Sequence, residues 1–434
     1  MQISISKIIF YLFLLLPLSF KIEPVEGVAV YPQELLFPVL IVLSVMGGYK
    51  KILPESKPFQ FYFVAFAVVL VATILSQLHT PDLSGLLKVI KYLLYLTSIL
   101  LLSNYNFENF LSKFNTVGFL CIVSSILLYL YKFLIFEGTA SEFVGLTTWN
   151  TDYTPSGYSN LVYQVYSGEF ERTTGNHGIY GSYLILIYIL NLAKVLEGKS
   201  KLINKSLVVL ALSNLLLINS REALMVFIIV NFLYFTKPLL KLKLKISYII
   251  IFAVIILGMV ALVMYDVNIG MVQKVQYTIE SFNEKGSENN ISLRFRVWHL
   301  ILLSFTLYPL SLLFGTGYNL PIFEKHLTNT NAHYQLYNDF VTVPESMFLF
   351  FLSFGGILAF IFILLFFLSA VVEVYKLENK SITTELFFIT FLGLILANNT
   401  GGSLMSDLLL AQFSLVYLWI VKKYGTKKDL APNR

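Results

Sequence analysis

The sequence predicts an all-α fold: a polytopic transmembrane helical bundle of about twelve spans, with both termini cytoplasmic and two large loops on the outer face. Three observations predict it. Hydrophobic residues make up 57% of the 434 and charged residues only 13%, about half the share of a typical soluble domain. The apolar residues gather into long runs, as bilayer-crossing helices require, whereas an outer-membrane barrel would show short alternating segments. The cations fall mainly between those runs and are biased to one side.

Taken in order, a window of about 19 residues marks apolar segments at 7–20, 33–47, 61–78, 86–103, 115–135, 178–195, 206–219, 222–236, 246–265, 346–374, 385–398 and 404–421. The first has the length of a signal peptide, but SFKIEPVEG carries no A-x-A-like cleavage site, so it is read as a retained helix. Segments 206–219 and 222–236 are short and also fit a single bent hairpin. With a cytoplasmic N-terminus, twenty of the 31 Lys and Arg lie inside and eight outside, while Lys88, Lys91 and Lys132 lie within spans. The contrast is sharpest in short loops, where KPLLKLKLK faces in and NNTGGS faces out. This bias accounts for the net charge of +6, and no nucleic-acid motif competes with it. The single Cys121 sits in an apolar run and can form no intrachain disulfide.

Two segments, 136–177 and 266–345, are far longer than an ordinary connection and both fall outside. The second contains VWHLILLSFTLYPLSLLF, flanked by Arg294, Arg296 and GTGYN. Counting it as a further span would carry the lysine-rich tail outside, so it is read as an amphipathic surface or re-entrant element. There is no internal repeat, and no matched pair of Gly/Pro-broken segments such as many secondary transporters carry. A protein whose extra mass lies on the outer face is expected to do its chemistry there.

The charges at that face carry the functional reading. Arg221 opens the span at 222–236 behind Ser220, a good N-cap; the helix start and the guanidinium together suit an anion, and Glu222 suits the same helix dipole. The alternative is a snorkelling anchor at the membrane interface. Arg172, Arg294 and Arg296 are the other outer arginines, each beside an expected helix start. Guanidinium groups gathered on one face suit forked recognition of phosphate or pyrophosphate, although pairing with Glu171, Glu222 or lipid headgroups explains them as loop anchors. Lys88 and Lys91 share one helical face near the outer end of the fourth span, where they snorkel or add to the same anion site. Candidate proton acceptors are Glu345 and His333, with Asp339 a weaker one. Trp149 and Tyr166, with Tyr153, Tyr158, Tyr163 and Phe170, are placed to pack on sugar faces or to form an interfacial belt. His326 and His333 lack an H-E-x-x-H arrangement, so no catalytic metal is expected.

Arg172 with TTGNHGIYGSYL, then INSREALM, then SLRFRVWHL with PLSLLFGTGYN, then ESMFLFFLSFGGILAF, in this order and spacing, resemble the O-antigen polymerase and ligase superfamily of bacterial envelope proteins. The resemblance covers residues 160–365 and implies a catalytic core there. It implies a multi-pass protein of the bacterial cytoplasmic membrane that takes a polyprenyl pyrophosphate-linked oligosaccharide as glycosyl donor on the outer face, without cofactor or metal. It also implies membrane lipids, a chain-length regulator and a flippase as partners. On this reading Arg221 takes the family's SR position, Arg294 or Arg296 that of the second-loop arginine, and Arg172 the arginine before the G-x-x-x-G segment. Ligases of this family show a His-Asn pair where this chain has Glu345 and Ser346, so a repeat-unit polymerase is expected, with a ligase as the near alternative and a polysaccharide flippase as the distant one.

Overall fold

The computed structural model describes residues 4–19, 22–25, 28–46, 56–134, 177–217, 220–240, 290–338, 340, 342, 344, 346–401 and 405–425. Within them the chain forms α1 (Ile5–Leu15), α2 (Phe37–Met46), α3 (Lys57–Gln77), α4 (Leu83–Leu102), α5 (Phe110–Leu134), α6 (His177–Leu196), α7 (Leu202–Leu217) and α8 (Arg221–Leu240). From residue 290 on come α9 (Asn290–Leu307), α10 (Pro309–Phe314) and α11 (Leu320–Tyr334), all within the expected second loop, then α12 (Met347–Tyr375), α13 (Ile382–Gly401) and α14 (Asp407–Gly425). The expected segment 246–265 and the expected first outer loop up to residue 176 lie outside the described residues. Between α1 and α2 the sequence suggests only a connection, but the structure makes a two-stranded antiparallel ribbon, Ile22–Val25 with Val28–Val30. Ile22, Val25, Val28 and Val30 of IEPVEGVAV favour it, since β-branched residues favour strands.

Among the described residues five helices are long and apolar enough to cross a membrane: α3, α4, the Phe110–Leu127 part of α5, the Gly178–Leu196 part of α6, and α12. Shorter apolar helices cover Ile5–Leu18, Pro32–Met46, Leu202–Leu215, Glu222–Thr236 and Ile382–Ala397. Among the described residues α7 packs mainly on α6 and α5, and α8 mainly on α13 and α6.

The most extensive interface is between α3 and α12. On α3 the buried residues Phe59, Tyr62, Phe66, Val69, Thr73 and Ser76 recur at alternating spacings of three and four, which puts them on one face. The opposite faces stay apolar where they are exposed: Val71, Ile74 and Leu75 on α3, and Leu358, Ile361, Leu364 and Leu368 on α12. In water such surfaces would be costly; against acyl chains they are not. α14 is buried along Asp407–Ile420, so its polar groups need internal partners. Gln412 donates to the Phe13 carbonyl at 2.6 Å, and Ser414 to that of Leu410 at 2.6 Å. Three asparagines tie α5, α6 and α7 together. Asn115 and Asn191 exchange amide hydrogen bonds at 2.8 and 2.9 Å, and Asn204 donates to Asn191 at 2.8 Å.

The expected surface or re-entrant stretch breaks at Tyr308–Pro309 into α9 and α10, because proline cannot continue the helix before it. The following GTGYN segment docks into a break in α12. Gly356 there has φ 68°, so α12 is kinked. The Ser353 and Phe354 carbonyls accept instead from Thr316 N–H at 2.9 Å and Gly317 N–H at 3.0 Å. Tyr318 N–H donates to Thr73 Oγ1 at 2.7 Å, Asn319 Nδ2 to the Thr80 carbonyl at 2.6 Å, and Leu320 N–H to Asp82 Oδ2 at 3.1 Å. Irregular backbone inside a membrane bundle needs partners of this kind. The segment thereby clamps the second large loop to α3, α4 and α12.

Candidate functional site

α8 starts as its sequence suggests. Ser220 is buried; its Oγ accepts from Ala223 N–H at 3.2 Å and its carbonyl from Leu224 N–H at 3.1 Å. This leaves Arg221 and Glu222 in the first turn. Glu222 reaches α9, where its Oε1 lies 3.5 Å from Arg294 Nη1. The fold therefore brings the SRE segment and the second-loop arginine together from 72 positions apart. Both side chains of the pair remain partly open, at 24% for Arg294 and 21% for Glu222.

Arg294 and Arg296 diverge. Two positions apart on a helix, they point to nearly opposite sides. Arg296 lies over the Tyr337 ring, its guanidinium carbon 5.5 Å from the centroid. The Tyr337 hydroxyl is 2.7 Å from His299 Nδ1. Asn331 fixes that tyrosine by accepting from its N–H at 3.0 Å and donating to its carbonyl at 2.7 Å. The turn that allows this follows α11, where Gln335 takes φ 50°. Arg294 is thus the second-loop cation that shares a place with α8, and Arg296 belongs to an aromatic contact with the strap after α11.

His333 is exposed in the last turn of α11, with its ring edge-on to Tyr334 at 4.7 Å. His326 is stacked on Tyr308 at 3.8 Å and 1°. Burial, with Lys325 adding to it, holds the imidazole below the usual histidine range. Among the described residues no cluster of His, Cys, Asp or Glu is arranged to hold a metal.

Lys91 and Lys88 have separate surroundings. Lys91 Nζ makes an ion pair with Asp407 Oδ2 at 2.8 Å, with side chains only 14% and 3% exposed. A buried carboxylate so close cancels most of the ammonium's field on an external anion. Lys88 Nζ lies 5.8 Å from the Tyr318 ring centroid. Sequence reasoning missed Asp407, although a visible signal marks it: a lone acid at the start of an apolar run, complementary to the lone lysines of the fourth. It also missed Tyr318, Tyr337 and His299, whose roles depend on the docking of the second loop.

Arg172, Trp149, Tyr166, Glu345, Asp339 and the side chain of Arg221 lie outside the described residues. The chain matches no family model, and no curated protein matches it.

Proposed function

We propose that the chain is a metal-independent, inverting glycosyltransferase that polymerises carrier-linked repeat units at the outer face of the bacterial cytoplasmic membrane. The observation that carries the reading is the meeting of the α8 start, Ser220–Glu222, with Arg294 of the second loop. A capped helix start and a guanidinium presented together suit a diphosphate. Glu222 orients Arg294, whose side chain stays partly exposed at 24%.

In the proposed reaction Arg294 and Arg221, with Arg172, hold the donor's polyprenyl pyrophosphate. The acceptor hydroxyl attacks the anomeric carbon while the bond to the pyrophosphate oxygen breaks. Glu345 or His333 takes the hydroxyl proton, and the negative charge that grows on the leaving group meets fixed cations, the main catalytic resource when no metal takes part. One displacement inverts the anomeric centre.

The test is reconstitution of the purified chain with a synthetic polyprenyl pyrophosphate glycan in the presence of a chelator. Chain extension with inversion is expected, and Arg294→Ala is expected to lose it by at least about a hundredfold, the scale for removing one transition-state donor. Transfer to a non-carrier acceptor alone would make it a ligase. A retained anomeric configuration, or full extension by Arg294→Ala, would overturn the mechanism.

A further inference from the structure

The break at Gly356 does more than kink α12: residues 347–355 fold back on residues 357–375. The aromatic contacts require it. The Phe348 ring lies 6.2 Å from that of Phe360 and 5.4 Å from that of Phe367, whereas a continuous helix would hold positions 348 and 367 about 28 Å apart. Tyr62 of α3 likewise meets rings from both arms, Phe351 at 6.0 Å and Phe366 at 4.7 Å. Helix positions four apart keep their Cβ atoms roughly 5–6 Å from each other. A Cβ on Gly355 would lie 2.3 Å from that of Ala359. The chain reverses there, and Gly356, at φ 68°, permits the turn.

Both arms run inward from this turn. A Cβ on Gly355 would lie 2.8 Å from Val69 Cγ2; Phe350 and Phe351 meet the Phe66 ring at 6.2 and 5.0 Å, and Phe351 also meets Tyr62. Val69, Phe66 and Tyr62 step away from the end of α3 that the charge bias assigns to the outer face. Length agrees. Residues 357–375 span about 28 Å and cross the hydrocarbon core by themselves, whereas one continuous helix of 29 residues would be about 43 Å long and need a tilt beyond the usual limit of about 40°. Burial also separates the arms. Met347, Phe350, Phe351, Ser353 and Phe354 are buried, while Ile357, Leu358, Ile361, Leu364 and Leu368 are exposed. An apolar helix covered all round belongs inside protein, and one with an open apolar side faces lipid.

We infer that residues 347–355 form a re-entrant plug, and that only residues 357–375 cross the membrane. The second loop then ends inside the bundle, at the buried Ser346, and the plug rises from there to the outer turn at Gly356. Its last carbonyls, Ser353 and Phe354, are satisfied by Thr316 and Gly317 of that same loop, as non-helical backbone at membrane depth requires. The plug is independent of the glycosyltransferase reading and stands or falls separately from it.

The experiment uses the full chain in lipid nanodiscs with its single cysteine replaced, Cys121→Ser. Nitroxides attached through Phe348→Cys and Phe367→Cys are expected to lie within about 15 Å of each other by electron paramagnetic resonance, against about 28 Å on a continuous helix. That variant removes two packed rings, so a second set decides should it misfold. Tyr62→Cys is combined with Phe351→Cys or with Phe366→Cys, and both pairs are expected to form disulfides on oxidation. On a continuous helix positions 351 and 366 are about 22 Å apart, and one thiol on α3 could not reach both. A nitroxide separation near 28 Å, or a disulfide with fewer than both partners, would overturn the inference.

Discussion

Lys91 on α4 and Asp407 at the head of α14 meet at 2.8 Å, joining positions 316 residues apart. The same corner is closed by Tyr92, whose hydroxyl donates to the Met405 carbonyl at 2.5 Å. A buried pair of this kind adds little over apolar residues of similar volume, but removing one partner takes away the nearest opposite charge from the other.

Single replacement should therefore cost more than double replacement. Asp407→Leu or Lys91→Met alone is expected to lower stability by about 3 kcal/mol, while Lys91→Met/Asp407→Leu together should recover most of the loss. Thermal unfolding of the detergent-purified proteins measures this. Additive losses would show that the two side chains are not energetically coupled.

The Glu222–Arg294 pair is expected to behave differently. At 3.5 Å and about a quarter exposed, it contributes at most about 1 kcal/mol to stability. Glu222→Gln and Arg294→Ala should both fold with little change in melting temperature. Arg294→Ala should nevertheless abolish chain extension in the reconstituted assay, and Glu222→Gln should reduce it by a smaller factor. Equal and small effects on activity would identify the pair as a loop anchor, the alternative that the sequence also allows.

Much of this was legible in the sequence. The runs at 61–78, 86–103, 178–195 and 346–374 appear as α3, α4, α6 and α12 within a few residues, because apolar length marks a span whatever its neighbours. Ser220 was legible as a cap because capping is local. Side-chain partners across the bundle were not. Arg294 and Arg296 look equivalent in SLRFRVWHL, but helical geometry sends one toward Glu222 and the other toward Tyr337, whose position is fixed by Asn331 and the turn after α11. The docking of GTGYN was hidden for a related reason: the carbonyls that it satisfies are freed by a kink in α12, well over thirty residues downstream.

His326 gives a pH prediction. Its folded-state pKa lies below the usual value because burial disfavours the imidazolium. A group depressed on folding contributes stability that is present above its unfolded pKa and lost as pH falls through the folded one. Melting temperature should therefore decline as pH drops below the normal histidine range of about 6.5. His326→Phe retains a ring against Tyr308 and should flatten that part of the profile; an unchanged slope would assign the acid sensitivity to other groups.

The glycines at the docked segment separate backbone strain from crowding. Gly317 has φ 66°, and a Cβ there would lie 2.5 Å from Thr73 Cα; Gly356 has φ 68°, and a Cβ would lie 2.3 Å from the Leu313 carbonyl oxygen. Gly198, in the turn after α6, has φ 69° with nothing within 4 Å of its Cβ position. Alanine at Gly198 meets only the left-handed penalty, about 1 kcal/mol. At Gly317 or Gly356 the added carbon also presses on backbone that cannot swing aside, and a loss of roughly 3 kcal/mol or more is expected. Because GTGYN holds the second loop to α3 and α12, Gly356→Ala should also make the segment around Arg294 more accessible to limited proteolysis, whereas Gly198→Ala should not. Equal stability of the two variants would mean that the segment does not seat in the α12 break.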